Sequence, residues 1–206
     1  MIALPQQITA AIESLAKLPG IGPKTASRLV YHLIKKPASD VESLGRSLML
    51  LKKDLCFCEQ CFQITDHHIC SICSNTKRQQ KQIMVVEEPL DVMAFERMKE
   101  YDGVYHVLHG ILKPMDGIGP EMLKITELVQ RVKTLSQEAS VEVILSISPS
   151  LEGESTASYI AQLLRFLPHV QVMRIGVGIP IGSSVEYADE ITLSQAFHGR
   201  RVLSQS

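Results

Sequence analysis

An α/β protein built on a parallel sheet, with two small modules ahead of it and a short region behind, is the fold class this sequence predicts. Three observations carry that expectation. From Ile83 onward, short β-branched runs alternate with amphipathic segments. Ahead of them four cysteines, Cys58, Cys61, Cys70 and Cys73, stand as C-x2-C-x8-C-x2-C. Nearest the N-terminus, two helical patterns meet at a glycine turn, Leu18-Pro19-Gly20-Ile21-Gly22-Pro23. The division expected is 1–53 for a helix-hairpin-helix module, 54–77 for the cysteine loop, 78–175 for the α/β domain and 176–206 for the C-terminal region.

The first module is read from its apolar spacing. Ile8, Ala11, Ile12, Leu15 and Leu18 recur at helical intervals until Pro19-Gly20 stops them, and Ala26, Leu29, Val30, Leu33 and Ile34 begin a second helix that ends before Pro37. The turn between them fits the helix-hairpin-helix pattern, in which Gly20 and Gly22 let backbone N–H groups approach a phosphate without interference from a Cβ. Those amides lie at the N-terminus of the second helix, where its dipole also favours an anion. Lys24 follows at once and Arg28 stands one turn later on the same face. Such a device reads backbone and not bases, so it predicts sequence-independent, salt-sensitive DNA binding. A plain helix–helix connection is the bland alternative. A dinucleotide fingerprint fits poorly, because a helix precedes the glycines and the third glycine is missing.

Each C-x2-C pair of the second module presents two thiolates to one ion. Two such knuckles fill a tetrahedral Zn2+ shell with no position left for substrate, so one structural zinc per chain is expected. Disulfides are the alternative, but they leave the fifth cysteine, Cys56, over, and no secretory signal is apparent. Cys56 reads as a small buried residue, and His67 and His68 as exposed loop histidines.

Composition narrows the classes further. The longest apolar runs, such as Val141 to Ile147, fall far short of the roughly 20 residues that cross a bilayer, and a cytoplasmic compartment suits reduced cysteines. A net charge of −1 hides an asymmetry: residues 1–53 carry +5 and residues 83–206 carry −6. A basic N-terminal module on an otherwise acidic chain suits a nucleic-acid contact made at one end.

In the α/β segment the expected strands are IMVVEE, VYHVLH, VEVILSI and VQVMRI, separated by helices over 89–100, 121–137 and 154–167. Parallel sheets gather function at the carboxyl ends of their strands. Glu87 and Glu152 fall there and are candidates for one acidic patch, with Glu154 beside them, the oxygen donors Mg2+ prefers. Gly176-Val-Gly178 is a decoy, because the β-rich stretch 179–185 leaves no helix to receive a pyrophosphate.

The V-V-E-E-P strand end, followed by a strand running into S-P-S-x-E-G-E, resembles the Toprim domain of topoisomerases and primases. Catalytic members build the second motif on D-x-D, which supplies Mg2+ ligands, whereas Ser148 and Ser150 stand in those places here. With Glu87, Glu152 and Glu154 remaining, the patch is expected to dock a partner or hold Mg2+ weakly, and two-metal cleavage is disfavoured. Tyr101, Tyr105 and Tyr159 have no activating partner in the motif.

The order of parts extends the likeness to the whole chain. L-P-G-I-G-P-K-T-A, C-S-I-C-S-N, V-V-E-x-P-x-D, D-G-I-G-P, E-G-E-x-T-A, G-V-G-I-P-I-G, D-E-I-T-L and G-R-R together resemble the bacterial RecR recombination proteins. The resemblance implies a non-enzymatic DNA clamp that works with RecO, and in some systems RecF, to bring RecA onto SSB-coated single strands at gaps. It implies homo-oligomers, dimers or tetrameric rings closed through the N- and C-terminal regions, with Lys24 and Arg28 among the DNA contacts. Tyr187-Ala-Asp189-Glu190 resembles the family's Walker B-like stretch, but no Walker A accompanies it. The competing reading is a Mg2+-dependent Toprim-type nuclease or phosphotransfer enzyme working through Glu87 and Glu152.

Overall fold

The computed structural model describes residues 4–53 and 55–200, which fall into two compact units, Met1–Leu55 and Cys56–Ser206. Arg201 of the G-R-R motif lies outside the described residues.

The first unit is helical: α1 Gln6–Ala16, α2 Pro23–Ile34 and α3 Ala38–Leu50. The first helix stops at Ala16 and not at Leu18, because Lys17 to Gly20 already form the turn in front of Gly22. Pro23 occupies the first position of α2, where its missing N–H costs nothing. The third helix was not expected, although its apolar residues Val41, Leu44 and Leu48 recur at the helical spacing i, i+3, i+7. Among the described residues only Ala26 and Val30 are buried within this unit. Ile8, Leu15, Leu33, Ile34, Val41 and Leu44 instead line an open apolar groove of about 690 Å³.

The second unit begins with a two-stranded antiparallel ribbon, β1 Cys56–Phe57 and β2 Ile64–Thr65, inside the cysteine loop. It continues as β3 Gln79–Val86, α4 Pro89–Met98, β4 Gly103–Val107, α5 Ile125–Ser136, β5 Val141–Ser146, α6 Leu151–Leu164 and β6 Val170–Arg174. A C-terminal helix, α7, covers Glu190–His198. The four long strands are all parallel, in the order β4-β3-β5-β6. Chain order therefore runs to one side of β3 and then to the other, and the carboxyl ends of β3 and β5 flank the switch point where α/β sheets place their sites.

Both faces of the β3–β4 half of the sheet are covered, which explains the near-continuous apolar runs Ile83–Val86 and Val104–Val107, whereas β5 and β6 alternate between a buried and a more open face. One face packs Met84, Val86, Tyr105 and Val107 against Val92 of α4. The other packs Ile83, Val85, Val143 and Leu145 against Leu128 and Val132 of α5 and Ile160 and Leu164 of α6. Two helices begin elsewhere than periodicity placed them. Leu123 is extended, so a 3-10 turn fills 120–122 and α5 starts only at Ile125. Ser150 caps α6 three residues before Glu154, so that helix starts at Leu151. No strand forms over 179–185, where turns and bends precede a 3-10 turn at Val185–Tyr187.

Candidate nucleic-acid interface, metal centre and strand-end acids

At the hairpin, two backbone bonds tighten the chain ahead of α2: Leu18 N–H donates to the Leu15 carbonyl and Ile21 N–H to that of Leu18, each at 3.1 Å. Gly20 sits at φ +77°, a left-handed conformation that costs glycine nothing. Gly22 is the N-cap, with φ −80° and ψ 167°, a conformation any residue adopts. What sets it apart is space, since a Cβ at either glycine would meet nothing within 4 Å. No side chain caps α2, and among the described residues no carbonyl accepts from the N–H groups of Gly22, Lys24 or Thr25. Lys24 and Arg28 are exposed four residues apart, and neither forms an ion pair among the described residues. The arrangement offers an anion open amides, a helix dipole and two unengaged cations.

The four predicted metal ligands converge. The sulfurs of Cys58, Cys61, Cys70 and Cys73 lie within 4.8 Å of one another, all four residues are buried, and the Cys61 and Cys70 sulfurs are 3.5 Å apart. Four thiolates about 2.3 Å from a tetrahedral ion would stand about 3.8 Å from each other, so the set fits a metal such as zinc. Backbone amides already point at the sulfurs, Cys70 N–H at Cys58 Sγ (3.3 Å) and Cys73 N–H at Cys70 Sγ (3.4 Å), as they do where thiolate charge is stabilised. With four protein ligands no position is left for substrate. Cys56 does not belong to the cluster. It is also not buried: its thiol is exposed and donates to the His67 carbonyl, because the β1 backbone turns it away from the loop interior. His67 and His68 are exposed, as expected.

The first knuckle also closes an edge of the sheet. Val107 N–H of the outer strand β4 donates to the Cys61 carbonyl (2.8 Å), and His109 Nε2–H donates to that of Phe62 (2.7 Å). Arg131 of α5 spans both parts, its Nη1 donating to the carbonyls of Gln60 (3.1 Å) and Tyr105 (2.7 Å). Phe62, held at φ 62°, stands edge-on to His106 with Lys124 over its ring. Every residue of β4 is therefore buried although it is an edge strand. Sequence reasoning missed Arg131. No local pattern marks an arginine whose partners are carbonyls 71 and 26 positions away.

The strand-end acids are individually engaged. Glu87, just past β3, accepts from Ser148 N–H beyond β5. Glu154 in the first turn of α6 is paired with Arg174 at the end of β6, while Glu152 is exposed. Ser150 spends its hydroxyl on the cap, accepting from Gly153 N–H at 3.0 Å. Gly153 is required by close approach, since a Cβ there would lie 2.0 Å from the Ser148 carbonyl oxygen. Among the described residues the four cysteines are the only group of three or more donors close enough to share an ion. The divalent ion of catalytic Toprim domains is thus not fitted by Glu87, Glu152 and Glu154.

Two further expectations about chemistry meet their geometry here. Tyr105 donates to Glu96 Oε1 (2.7 Å) and Tyr101 to the carbonyls of Gln82 and Val104, and burial raises both phenols. Glu96 is itself gripped by Arg78 through both terminal guanidinium nitrogens, Nη1 and Nη2. Asp189 of the Walker B-like stretch does not stand at the end of a strand, since a 3-10 turn at Val185–Tyr187 precedes it directly. It caps α7, accepting from Thr192 N–H (2.9 Å) and Thr192 Oγ1–H (2.7 Å), and these bonds lower its pKa.

Comparison with known proteins agrees with this arrangement. Residues 8–51 match the family model described as RecR, helix-hairpin-helix, residues 81–176 the Toprim domain, and residues 178–201 the model described as RecR, C-terminal. The chain is 48% identical over 193 residues to "Recombination protein RecR" of Synechococcus elongatus, covering 94% of both chains. It is 50% identical over 189 residues to the protein of that name from Trichormus variabilis, covering 92% of this chain and all of that one. To the one from Gloeothece citriformis it is 48% identical over 192 residues, 93% of this chain and 94% of that one. With all three parts matched in order along nearly its full length, the chain belongs to the RecR family of recombination proteins.

Proposed function

We propose that this protein is a DNA-binding mediator of recombinational repair with no catalysis of its own. On this reading it works with RecO, and with RecF where that protein is present, to promote RecA loading on SSB-coated single strands at gaps in the cytoplasm. The observation that carries the reading is the open N-terminus of α2, with unengaged amides and with Lys24 and Arg28 free of ion pairs among the described residues. Such contacts bind any DNA sequence and weaken with salt. One hairpin holds DNA weakly, and several copies in a ring multiply its effect through effective concentration. The apolar groove of the helical unit supports self-association, because a unit that buries only Ala26 and Val30 among its described residues gains most of its core from a second copy. The four cysteines hold Zn2+ as a structural ion, the modules divide at 53, 77 and 175, and the strand-end acids dock a partner.

The test is binding to labelled gapped DNA by the zinc-loaded protein across a salt series, followed by a denaturing gel. Intact DNA is expected, with an affinity that falls steeply with salt. Lys24→Ala/Arg28→Ala should weaken binding at least tenfold and flatten the logarithmic salt slope by about 2 per subunit in contact. Mg2+-dependent cutting that Glu87→Gln abolishes would replace the mediator by a nuclease. Unchanged binding by the double variant would remove the hairpin from the interface.

A further inference from the structure

The second helix carries more than its open start. At 3.6 residues per turn Lys24, Arg28, Tyr31 and Lys35 fall within about 60° of one another, a stripe about 16 Å long that runs from the first turn of α2 to its C-cap. Ala26 and Val30, the buried residues of α2, lie on the far side. All four stripe residues are exposed, Tyr31 to 45%. No acidic residue stands on α2, and none of the three cations is ion-paired among the described residues. The helix makes one side-chain hydrogen bond among the described residues, Ser27 Oγ–H to the Pro23 carbonyl at 2.9 Å, and Tyr31 meets no other aromatic ring there. A tyrosine set between cations, with neither ring nor hydroxyl engaged, is not accounted for by the packing of its unit.

We propose that this stripe is a track for a single DNA strand, in which Arg28 and Lys35 hold phosphates beyond the one at the hairpin and Tyr31 stacks on an unpaired base between them. Resting on the hairpin contact proposed above, the stripe adds a preference among forms of DNA. Phosphate contacts fix register and orientation but are offered by single strands and duplex alike. Stacking discriminates, because a duplex keeps its base faces covered, whereas an unpaired base offers one to an aromatic side chain whatever its identity. A basic path interrupted by an aromatic ring is how proteins hold single strands without reading sequence. Tyr31 is therefore the specificity-determining residue of the interface, and Lys35 its last cation.

The experiment measures binding of the full-length, zinc-loaded protein to labelled oligo-dT and to a blunt duplex with as many phosphates, by fluorescence anisotropy over a salt series. Wild type is expected to bind the single strand at least about fivefold tighter. Tyr31→Ala should lose that preference with duplex affinity unchanged to within about twofold, while Tyr31→Phe keeps it. Lys35→Ala should weaken both forms and flatten the logarithmic salt slope by about 1 per subunit in contact. Because the chain has no tryptophan, Tyr31→Trp supplies a single reporter, whose emission should be quenched by oligo-dT and left alone by duplex or by an abasic oligomer of the same length. The reporter decides the matter should Tyr31→Ala fail to fold. Equal binding of both forms by wild type, a Tyr31→Ala that keeps the preference, or a Tyr31→Trp whose emission no single strand alters overturns the track. The hairpin contact survives each of these if Lys24→Ala/Arg28→Ala still loses binding, and unchanged binding by that double variant removes hairpin and track together. A Tyr31→Ala that changes oligomeric state in sedimentation while keeping the preference would seat a second copy on this face instead.

Discussion

Three helix N-termini in this chain sit where a ligand is conventionally sought, and only one of them is open. In the helical unit, α2 starts at a glycine with empty space around it, no side-chain cap and two exposed cations in its first turns. In the sheet unit, α4 starts with a capping box between Glu88 and Asp91, and α6 with Ser150 on Gly153 N–H. The strand ends beside them are closed as well, by Glu87 on Ser148 and by Glu154 on Arg174. The difference teaches that likeness to an enzyme domain resides in the sheet, while the capacity to bind is a matter of which polar groups the chain leaves unsatisfied. A helix end whose donors are taken by its own residues is architecture, and one whose donors face solvent is available.

The comparison breaks most severely if the closure of the sheet unit is undone at the cysteines. Zinc held as proposed by the four cysteines would contribute on the order of 10 kcal/mol of folding free energy, and the first knuckle also covers the β4 edge. Cys58→Ala should lower the Tm steeply and promote aggregation through the bared strand, leaving the α1–α2 hairpin no less helical. Calorimetry with a zinc assay checks this, and a normal melt without bound metal would refute it. Next comes a matched glycine pair. Gly153→Ala drives a methyl into the Ser148 carbonyl and should cost about 3 kcal/mol or more in chemical denaturation. Gly22→Ala meets nothing and should leave stability within about 0.5 kcal/mol while weakening DNA binding, because the methyl intrudes only when a phosphate is present. Equal stability losses from the two would erase the distinction between closed and open ends. Ser150→Ala is a gentler probe, removing one cap bond from α6 for about 1 kcal/mol.

Legibility in the sequence followed the range of the interactions involved. The cysteine cluster and the glycine turn were readable because ligand spacing and turn chemistry are local, and both sets of residues stand where the pattern placed them. The parallel strands were readable because burial on both faces leaves apolar runs such as Ile83 to Val86. The start of α6 was missed by three residues, since Ser150 belonged to a motif read for its missing acid and not for its capping hydroxyl. The start of α5 was missed because Pro120 resembles a helix opening, yet Leu123 turns extended to enter the core. Least legible were the long-range engagements: Arg131 on two distant carbonyls, and Arg174 on Glu154 across a strand and a helix. A side chain's partner 20 or more positions away leaves no periodic trace.

A pH-dependent effect lies beneath the cysteine loop and separates closure by packing from closure by the cysteine knuckle. His106 is fully buried on β4, its Nε2–H given to the Lys124 carbonyl at 2.7 Å and its Nδ1 left without a partner. Burial pushes its pKa down from 6.5 to about 3, with Arg131 and His109 adding to the shift, and the hydrogen bond to Lys124 and the charge of Glu127 opposing it. Between those values the unfolded chain binds a proton that the folded chain refuses. Stability is therefore whole above pH 6.5 and declines as pH falls towards 3, by about 1.4 kcal/mol per unit at most. At pH 5 the loss should be about 2 kcal/mol. His106→Gln keeps a donor for Lys124 and cannot titrate, so its stability relative to wild type should rise as pH drops from 7 to 5, while acid release of the metal affects both chains alike. Denaturant melts at the two pH values measure the difference. A constant offset would mean that His106 carries no proton-linked cost and that the edge strand is held at acid pH by the cysteine knuckle alone.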